Sequence, residues 1–261
     1  MDNYNRVVHV QKSLQQQWIG LRAFNNRVKA LLIQYITSNA NCLDLEPLFL
    51  DGACGRGGDI QKWESASSII ETRKITVWGI DIAEDAVREA NRRVQETRLK
   101  WCEFYALHGD LLLYNGEEDP KLAGITLHFC INYIWTKDVD NVLQALRRSI
   151  KPAGLVSVIF TNADKLHNAP FDMVKRHTRT IYTFSLGGLV DSVPEYYVSM
   201  DTLLKGFTDA GFVVKHRWDD LSVAFSELQS ISKFLKPPLP ISRVEQCVAA
   251  CYSACVFSAP E

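Results

Sequence analysis

The stretch Leu48-Phe-Leu-Asp-Gly-Ala-Cys-Gly-Arg-Gly-Gly-Asp59 decides the fold of this chain. It starts with apolar residues typical of a buried strand, continues through a glycine-rich turn, and is followed by the helix-like run Ile-Gln-Lys-Trp-Glu. Glycine permits positive φ and lets the backbone pass close to a ligand. The start of a helix adds free N–H groups and the positive end of its dipole. The stretch therefore predicts a strand, a ligand-binding turn and a helix.

A second strand is predicted at Ile75-Thr-Val-Trp-Gly-Ile-Asp81, which ends in an acid. In doubly wound sheets an acid at this place commonly holds the hydroxyl pair of a ribose. The turn does not match G-x-G-x-x-G in register and no G-x-x-x-x-G-K-[ST] occurs, which argues against NAD and ATP. The pattern D-x-x-C-G-x-G-G-D instead favours S-adenosylmethionine. A purely structural turn is the alternative.

Composition indicates an ordinary globular protein. The 261 residues, 47% hydrophobic and 23% charged, suit one large α/β domain or two small ones. A net charge of -1 argues against coating long nucleic acid by charge alone. No apolar run reaches the roughly 18 residues of a membrane span. The polar N-terminus lacks the apolar region of a secretory signal, so we expect an intracellular protein without a membrane anchor.

The cysteines favour a reducing compartment. Seven is an odd number, and most lie within apolar runs, which predicts reduced thiols. Cys247, Cys251 and Cys255 recur every fourth residue, a spacing that suggests a metal site. No histidine lies nearby and the segment is otherwise small and apolar, so we expect buried packing thiols and no metal.

Strands and helices alternate through the first part of the chain. Strands are predicted at 48–50, 75–81, 101–107, 125–131 and 155–160. Helices are predicted at 21–36, from 59, after 81 and at 138–150, with residues 151–154 as a stop signal. This order implies a mostly parallel sheet covered by helices on both faces.

The pattern changes after this alternation. We expect residues 165–198 to be an insertion that folds over the ligand end of the sheet, within a single domain of residues 1–261. Residues 1–20 are a polar lead-in. The remaining predicted elements are a helix at 199–211, a strand at 212–218, a helix at 225–235 stopped by 236–240, and a last strand at 246–258.

Six motifs, in order along nearly the whole chain, agree with one family. They are Leu21-Arg-Ala-Phe-Asn-Asn-Arg-Val-Lys-Ala-Leu-Leu-Ile33, Asp51–Asp59, Gly79-Ile-Asp-Ile-Ala-Glu84, Phe129-Cys-Ile-Asn-Tyr133, Thr161-Asn-Ala-Asp164 and Val193-Pro-Glu-Tyr-Tyr-Val198. Together they resemble the mRNA cap guanine-N7 methyltransferases, most closely the versions in large DNA viruses. The resemblance implies a Rossmann-like class I methyltransferase fold with a seven-stranded sheet. It also implies methyl transfer from S-adenosylmethionine to N7 of the cap guanosine of RNA, leaving S-adenosylhomocysteine.

The resemblance implies a cofactor pocket. It would contain Lys29, Asp51, Ala53, Gly55, Asp59, Asp81, Asp110 and Cys130. Asp81 would hold the ribose and Asp110 would lie beside the adenine. Lys29 and Asp59 would lie near the methionine end.

The resemblance also implies a cap pocket. Its guanine would be surrounded by Asn25, Asn132, Tyr133, Glu195 and Tyr252. Arg56 and Arg93 would lie near the cap triphosphate.

Three residues depart from the family pattern. Ala53 replaces a glycine of the turn, and Arg56 replaces its lysine, which keeps the charge but changes its geometry. Asn132 stands where the family has a histidine. Asparagine can hydrogen-bond a base, but it carries no proton.

The chemistry of this reaction requires no general base. Guanine N7 already has a lone pair in the ring plane, so alignment for in-line displacement, worth roughly 7–11 kcal/mol, is the main task. Glu195 would accept from guanine N1–H and N2–H₂ and favour the developing cationic purine. Tyr133 would stack on or flank the base. An ordinary loop carboxylate is the alternative for Glu195.

Other readings stay open. One is a methyltransferase of a different acceptor, and another is a degenerate regulatory subunit that binds cofactor or RNA. The basic run Lys175-Arg-His-Thr-Arg179 either contacts RNA phosphates or is a solvated face. No K-x-D-G motif occurs, so GMP transfer is not expected. The chain would act on capped RNA, alone or with other capping domains or a stimulatory subunit.

Overall fold

We describe a computed structural model of the chain for residues 18–70, 74–116, 121–136, 138–170, 173–186, 190–230 and 241–261. The described strands are β1 (Leu48–Gly52), β2 (Ile75–Asp81), β3 (Cys102–His108), β4 (Leu122–His128), β5 (Ile150–Thr161), β6 (Val174–Arg176), β7 (Ile181–Leu186), β8 (Val190–Tyr196), β9 (Val213–Trp218) and β10 (Tyr252–Ser258). The described helices are α1 (Ile19–Cys42), α2 (Ile60–Ile70), α3 (Glu84–Glu96), α4 (Ile131–Ile134), α5 (Val139–Ser149), α6 (Met200–Asp209), α7 (Leu221–Gln229) and α8 (Arg243–Ala249). Short 3₁₀ turns occupy Leu111–Leu113 and Ala163–Asn168.

The main sheet has seven strands in the order β3-β2-β1-β4-β5-β10-β9. The strands from β3 to β5 pair in parallel, whereas β10 runs antiparallel to both of its neighbours. Parallel neighbours need long crossovers, and helices supply them here. The predicted seven-stranded, mostly parallel sheet is confirmed.

Side-chain alternation along the strands builds a core on each face of the sheet. Phe49 of β1 belongs to a cluster with α1, α2, α3, α7 and α8. Its neighbours Leu48 and Leu50 point to the opposite face, where α4, α5 and α6 pack. All three are at most 5% exposed, because helices cover both sides.

A second sheet of three antiparallel strands, β6-β7-β8, lies within the predicted insertion; we call these three strands the flap. The flap lies at the carboxyl ends of the main strands. Phe184 of β7 packs edge-on against Tyr252 of β10, with 6.4 Å between ring centroids. Asn132 of α4 also bonds the carbonyl of Tyr196 in β8. These contacts place the flap beside the glycine-rich turn end of the sheet.

Several predicted boundaries were wrong. The fourth strand ends at His128 instead of residue 131, because Phe129 turns the chain at φ 62° and Ile131 begins α4. The helix predicted at 138–150 ends at Ser149, before its stop signal, but residues 151–154 themselves lie inside β5. The strand accommodates them by a register shift and a positive φ at Ala153.

The C-terminal elements also differ from expectation. Residues 246–249, predicted as strand, belong to α8, whose start is fixed by a capping box between Ser242 and Glu245. Helix α7 begins at Leu221 rather than at residue 225, since Asp220 caps its first turn. The predicted residues 231–235, the stop at 236–240 and positions 1–17 of the lead-in lie outside the described residues.

Within the described ranges, no helix has the length and apolar content to span a bilayer. The same ranges contain no group of three or more His, Cys, Asp or Glu side chains placed to hold a metal ion. Cys251 and Cys255 are buried and Cys247 is half-buried, all with free thiols.

Candidate active site

The glycine-rich turn is held by backbone geometry and by one carboxylate. Gly57 has φ +73°, and a Cβ there would lie 2.5 Å from Ile60 Cδ1. Gly55 has φ +53°, and its N–H donates to Asp81 Oδ2 over 2.7 Å. The other oxygen of Asp81 accepts from Ala83 N at 2.9 Å. Asp81 therefore fastens the turn to the start of α3.

Ala53 adopts a conformation that favours glycine. Its φ is 57°, in the left-handed region where a Cβ is strained by roughly 1–2 kcal/mol. The backbone thus keeps a glycine-like path at this family departure.

A cavity of about 330 Å³ opens at the carboxyl ends of β1, β2 and β4. We call it the cofactor cavity. Its walls combine apolar side chains with a few polar groups. They are Ala53, Ile80, Asp81, Ile82, Gly109, Asp110, Leu111, His128, Phe129, Cys130, Tyr133 and Ile134.

The lining of the cofactor cavity fits a nucleoside. Ile80, Leu111 and Ile134 provide apolar surface for a flat base, and the volume lies in the range of small-ligand pockets. Each oxygen of Asp81 keeps a lone pair beyond its backbone bond. A Cβ added at Gly55 would meet nothing within 4 Å, so space borders the turn.

His128 is a buried polar group beside this space. Its Nε2 bonds Ser157 Oγ at 2.9 Å, and among the described residues its Nδ1 has no hydrogen-bond partner. Burial, and then the positive charge of Lys29, lower the pKa of His128 to about 3. The ring is therefore neutral at physiological pH and offers a polar atom without a charge.

A buried charge cluster lies beneath the turn. Asp59 accepts from Lys29 Nζ at 2.8 Å and from Lys62 Nζ at 2.6 Å. Burial alone would raise the pKa of Asp59, but the two lysines outweigh it and hold that pKa well below its usual range. Burial also opposes the charge on Lys29, yet Asp59 raises its pKa overall.

Asp51 differs from Asp59 although both are buried. Its Oδ1 accepts from Thr126 Oγ1 at 2.9 Å, and Oδ2 has no partner among the described residues. Burial, followed by the negative charge of Asp59, raises the pKa of Asp51 to about 7. One buried carboxylate is thus firmly ionised while its neighbour resists ionisation.

A second cavity, of about 490 Å³, lies between α1, the turn and the flap. We call it the acceptor cavity. It is more polar and carries three cationic side chains and one carboxylate. Its lining residues are Arg22, Asn25, Asn26, Lys29, Gly58, Arg93, Phe129, Asn132, Tyr133, Thr161, Phe184, Glu195 and Tyr252. Phe129 and Tyr133 line both cavities, so the two spaces adjoin across these rings.

Glu195 is the carboxylate of the acceptor cavity and is 4% exposed. Tyr182 donates its hydroxyl to Oε2 at 2.5 Å, and Tyr133 donates to Oε1 at 3.1 Å. Burial raises the pKa of Glu195, and these two hydrogen bonds oppose the rise only in part. The carboxylate keeps further lone pairs for a ligand.

Asn132 lines the acceptor cavity but is bonded within the protein. Its Nδ2 lies 2.9 Å from the carbonyl of Thr161 and 3.2 Å from that of Tyr196. Its Oδ1 accepts from Thr161 N at 3.0 Å. The side chain therefore connects α4 to the ends of β5 and β8.

The structure brings most of the predicted site residues together. Ala53, Asp81, Asp110 and Cys130 line the cofactor cavity. The acceptor cavity is lined by Asn25, Lys29, Arg93, Asn132, Tyr133, Glu195 and Tyr252, of which Lys29 is predicted for the cofactor pocket. Their roles toward a ligand stay predictions.

Four predicted residues line neither cavity. Asp51 and Asp59 are buried under the turn, and Gly55 contributes its backbone N–H to Asp81. Arg56 is exposed on the turn.

Sequence reasoning missed several lining residues, and it missed Tyr182, which bonds Glu195 but lines neither cavity. Arg22 lies one turn before Asn25 on α1, and helical spacing would have placed it on the same face. Tyr182 and Phe184 alternate along β7, which indicates one face of a strand. Nothing local in the sequence pointed to His128 or to the turn at Phe129.

Comparison with solved structures defines the fold class. The chain resembles the crystal structure of an S-adenosylmethionine-dependent methyltransferase from Clostridium acetobutylicum, with a TM-score of 0.59 over 99% of both chains. Their sequences are 13% identical, so this likeness concerns the fold alone. The chain has the Rossmann-like fold of these methyltransferases.

Sequence comparison shows the family. Residues 1–180 match the model of the mRNA (guanine-N(7))-methyltransferase domain, which is more than half of the chain. The chain therefore belongs to this family.

Two curated relatives illustrate the family match. The chain is 32% identical over 155 residues to the mRNA cap guanine-N(7) methyltransferase of Schizosaccharomyces pombe, covering 56% of this chain and 40% of the relative. It is 25% identical over 255 residues to that of Candida glabrata, covering 77% and 56%. The chain thus spans about half the length of these relatives. Both are fungal, and the resemblance to viral versions stays a prediction.

Proposed function

We propose that this chain transfers a methyl group from S-adenosylmethionine to N7 of the guanosine cap of RNA. The observation that carries the proposal is the pair of adjoining cavities separated by Phe129 and Tyr133. One cavity suits a nucleoside and the other presents a buried carboxylate among cations. Such a pair suits a donor and an acceptor held side by side.

The donor side is assigned to residues of the cofactor cavity. S-adenosylmethionine supplies an electrophilic methyl group when bound. Asp81 is the candidate acceptor for ribose hydroxyls, since it lines the cofactor cavity and each oxygen keeps a lone pair beyond its bond to Gly55 N or Ala83 N. Asp110 caps the following 3₁₀ turn through Leu112 N at 2.9 Å and lies beside the apolar base surface.

The acceptor side is assigned to Glu195, Asn25 and the aromatic walls. Glu195 offers two oxygens to guanine N1–H and N2–H₂. The Oδ1 atom of Asn25 is buried and has no partner among the described residues, so it can accept from a ligand donor. Tyr133 and Phe184 supply rings that can flank a purine.

No general base is assigned in this site. His128 lies at the cofactor cavity, and its pKa, lowered to about 3, makes it a weak base. Glu195 is placed to stabilise the positive charge that develops on the purine. The protein then contributes mainly alignment and field, because guanine N7 is already nucleophilic.

The cations of the acceptor cavity suit the cap triphosphate. Arg22 is exposed at its edge. Arg93 is half-exposed and bonds Glu89 at 2.8 Å. Lys29 is less exposed than these arginines and bonds the buried Asp59 at 2.8 Å. We therefore assign the phosphates chiefly to Arg22 and Arg93.

A methyl-transfer assay tests the proposal. The protein would receive labelled S-adenosylmethionine and short RNA ending in GpppA, and digestion would locate the label. Uncapped RNA and RNA with an N7-methylated cap are the controls. Label on guanine N7, absent from both controls, is the expected result.

Other outcomes separate the alternatives. Label on a ribose 2′-OH would overturn the acceptor assignment and keep the enzyme class. Tight cofactor binding without transfer would favour a regulatory subunit or the need for a partner.

We also propose that the flap guides RNA beyond the cap. Arg176 pairs with Tyr182, and Tyr182 pairs with Glu195, in the antiparallel register. Directly paired side chains share one face, so Arg176 lies on the face of Glu195, roughly 10 Å away across two strand spacings. Lys175 pairs with Thr183 on the opposite face, where His177 also bonds Thr183.

Because Arg176 and Lys175 lie on opposite faces of the flap, they provide a matched pair of variants. Arg176 and Lys175 are both exposed. Arg176→Gln is expected to weaken capped-RNA binding and to lower the salt slope by about 1, whereas Lys175→Gln should change it less. Equal slopes for both variants and the wild type would contradict this role of Arg176.

Partners and compartment are further proposals. The chain spans about half the length of the two relatives named above. We propose that it works inside the cell with other capping-enzyme domains or a stimulatory subunit. Addition of such a partner to the methyl-transfer assay should raise turnover.

A further inference from the structure

Asn132 occupies the junction of α4, β5 and β8, and its hydrogen bonds account for its whole donor capacity. A side-chain amide has two N–H donors. The Nδ2 atom has three acceptors within reach, the carbonyls of Thr161 and Tyr196 and the hydroxyl of Tyr182, at 2.9, 3.2 and 3.3 Å. The residue is 2% exposed. No donor is left for a base in the acceptor cavity.

The hydroxyl of Tyr182 connects Asn132 to Glu195 by hydrogen bonds. Its side chain is fully buried, and its hydroxyl donates to Glu195 Oε2 at 2.5 Å while lying 3.3 Å from Asn132 Nδ2. Three acceptors share the two N–H groups of Asn132, so the bond to the Tyr182 hydroxyl at 3.3 Å is part of a shared arrangement. A hydroxyl has one hydrogen and two lone pairs, so accepting from Asn132 leaves its hydrogen for Glu195. Buried chains of this kind polarise one another and fix orientation.

We propose that Asn132 is a positioning residue, which holds Tyr182 and thereby aims the Glu195 carboxylate at the guanine without contacting the base. The inference rests on the proposed function. It deepens that function, because recognition of the guanine N1–H and 2-amino edge then depends on a residue outside the contact surface. In this chain the asparagine connects the main sheet to the flap by hydrogen bonds to Thr161 and Tyr196.

Cap analogues separate this role from direct reading of the base. An inosine cap, IpppA, lacks the 2-amino group that Glu195 would bind. A 6-thioguanosine cap keeps the N1–H and 2-amino donors but replaces O6 by a weaker acceptor, which is the atom an asparagine N–H would contact.

The Asn132→Ala variant is expected to lose recognition of the guanine N1–H and 2-amino edge, which Glu195 would bind. The kcat/KM for GpppA should fall about 10- to 100-fold, and the preference for GpppA over IpppA should shrink by a similar factor. The preference for GpppA over the 6-thio cap should be unchanged. The opposite pattern, loss of O6 discrimination with 2-amino discrimination intact, would overturn the inference.

Tyr182→Phe tests the same connection with a smaller change. It removes one hydroxyl, keeps the buried ring and should also compress the GpppA to IpppA ratio. Combined with Glu195→Gln, either variant should add little further loss, since both act through the same carboxylate. Additive losses would contradict the inference. Tyr182→Phe does not alter Asn132, so where Asn132→Ala fails to fold, Asn132→Ser replaces it in the comparison of GpppA, IpppA and the 6-thio cap.

Tyr197→Phe is the matched control. The Tyr197 ring lies against Tyr182 with 4.8 Å between centroids, and its buried hydroxyl has no partner among the described residues. Its removal should leave the ratio unchanged. If wild type transfers no methyl to GpppA, the proposed function fails, and equilibrium binding of GpppA and IpppA to the same variants still tests the positioning role.

Discussion

The cofactor cavity and the acceptor cavity are built in different ways. The cofactor cavity draws on one continuous part of the chain, from Ala53 to Ile134, and on backbone turns at successive strand ends. The acceptor cavity draws on side chains from Arg22 to Tyr252, supplied by α1, the turn, α3, α4, β5, the flap and β10.

This difference indicates where specificity can change. Turn geometry and a parallel sheet edge fix the cofactor cavity, so substitutions there should act on stability as well as binding. The acceptor cavity depends on buried polar side chains that meet over long sequence separations. Substitutions there should alter acceptor choice while the cofactor cavity stays intact.

The largest expected effect is at Glu195. Glu195→Gln keeps the shape but puts an amide N–H where guanine presents donors. The kcat/KM for capped RNA should fall about 30- to 1000-fold, roughly 2–4 kcal/mol. Cofactor affinity, measured by calorimetry, should stay within about twofold of wild type. A parallel loss of cofactor affinity would show that the two cavities are not independent.

Substitutions in the glycine-rich turn should instead change the stability of the protein. Gly57→Ala places a Cβ 2.5 Å from Ile60 Cδ1 at φ +73°, so the free energy of unfolding should fall by about 2–3 kcal/mol. Denaturant unfolding measures this change.

Gly58→Ala is the matched control for the turn. A Cβ there would meet nothing within 4 Å, and stability should change by less than about 0.5 kcal/mol. Gly58 lines the acceptor cavity, so its variant should affect cap binding rather than folding. Equal destabilisation by both variants would contradict this account of the turn.

The pH dependence should belong to the acceptor side. Burial raises the pKa of Glu195, so the acid limb of kcat/KM should lie above the usual glutamate range. Activity falls as pH falls, because protonation converts an acceptor into a donor. Tyr182→Phe removes a hydrogen bond that favours the ionised form, and the limb should move to higher pH. If the acid limb of kcat/KM is unchanged in Glu195→Gln, the limb belongs to another titrating group.

The smallest expected effect is at Ala53. Ala53→Gly relieves the strain at φ 57° and should raise the free energy of unfolding by about 1 kcal/mol. Thermal or denaturant unfolding would measure it, with Ala86→Gly inside α3 as a control that should not stabilise, because glycine is unfavourable within a helix. A loss of stability in Ala53→Gly would show that the methyl group packs favourably.

Local sequence patterns predicted the strands and the glycine-rich turn around the cofactor cavity well. The apolar run before Asp51, the glycines and the acid at Asp81 all lie where expected, because turn conformation and strand periodicity depend on neighbouring residues. The predicted end of the fourth strand was wrong, because no local pattern indicates the positive φ that the bulky Phe129 adopts. The strand predicted at residues 246–249 was wrong, because an apolar run alone does not distinguish a helix from a strand.

The acceptor half was predicted as a set of residues and not as an arrangement. The family resemblance identified Asn132 and Glu195, but not the link through Tyr182. Asn132 and Tyr182 are 50 residues apart, and Asn132 and Tyr196 are 64 apart. Only strand register and the docking of the flap decide which of their polar atoms meet.

The sequence by itself determined the sheet, the glycine turn and the acid at the end of β2, since these follow from periodicity and from φ preferences within a few residues. The tertiary structure alone decided that Lys29 pairs with Asp59, that Asn132 is bonded within the protein and that Tyr182 holds Glu195. The physical reason is that a buried polar group takes whichever partner the fold brings within hydrogen-bond distance, and local sequence does not encode that distance.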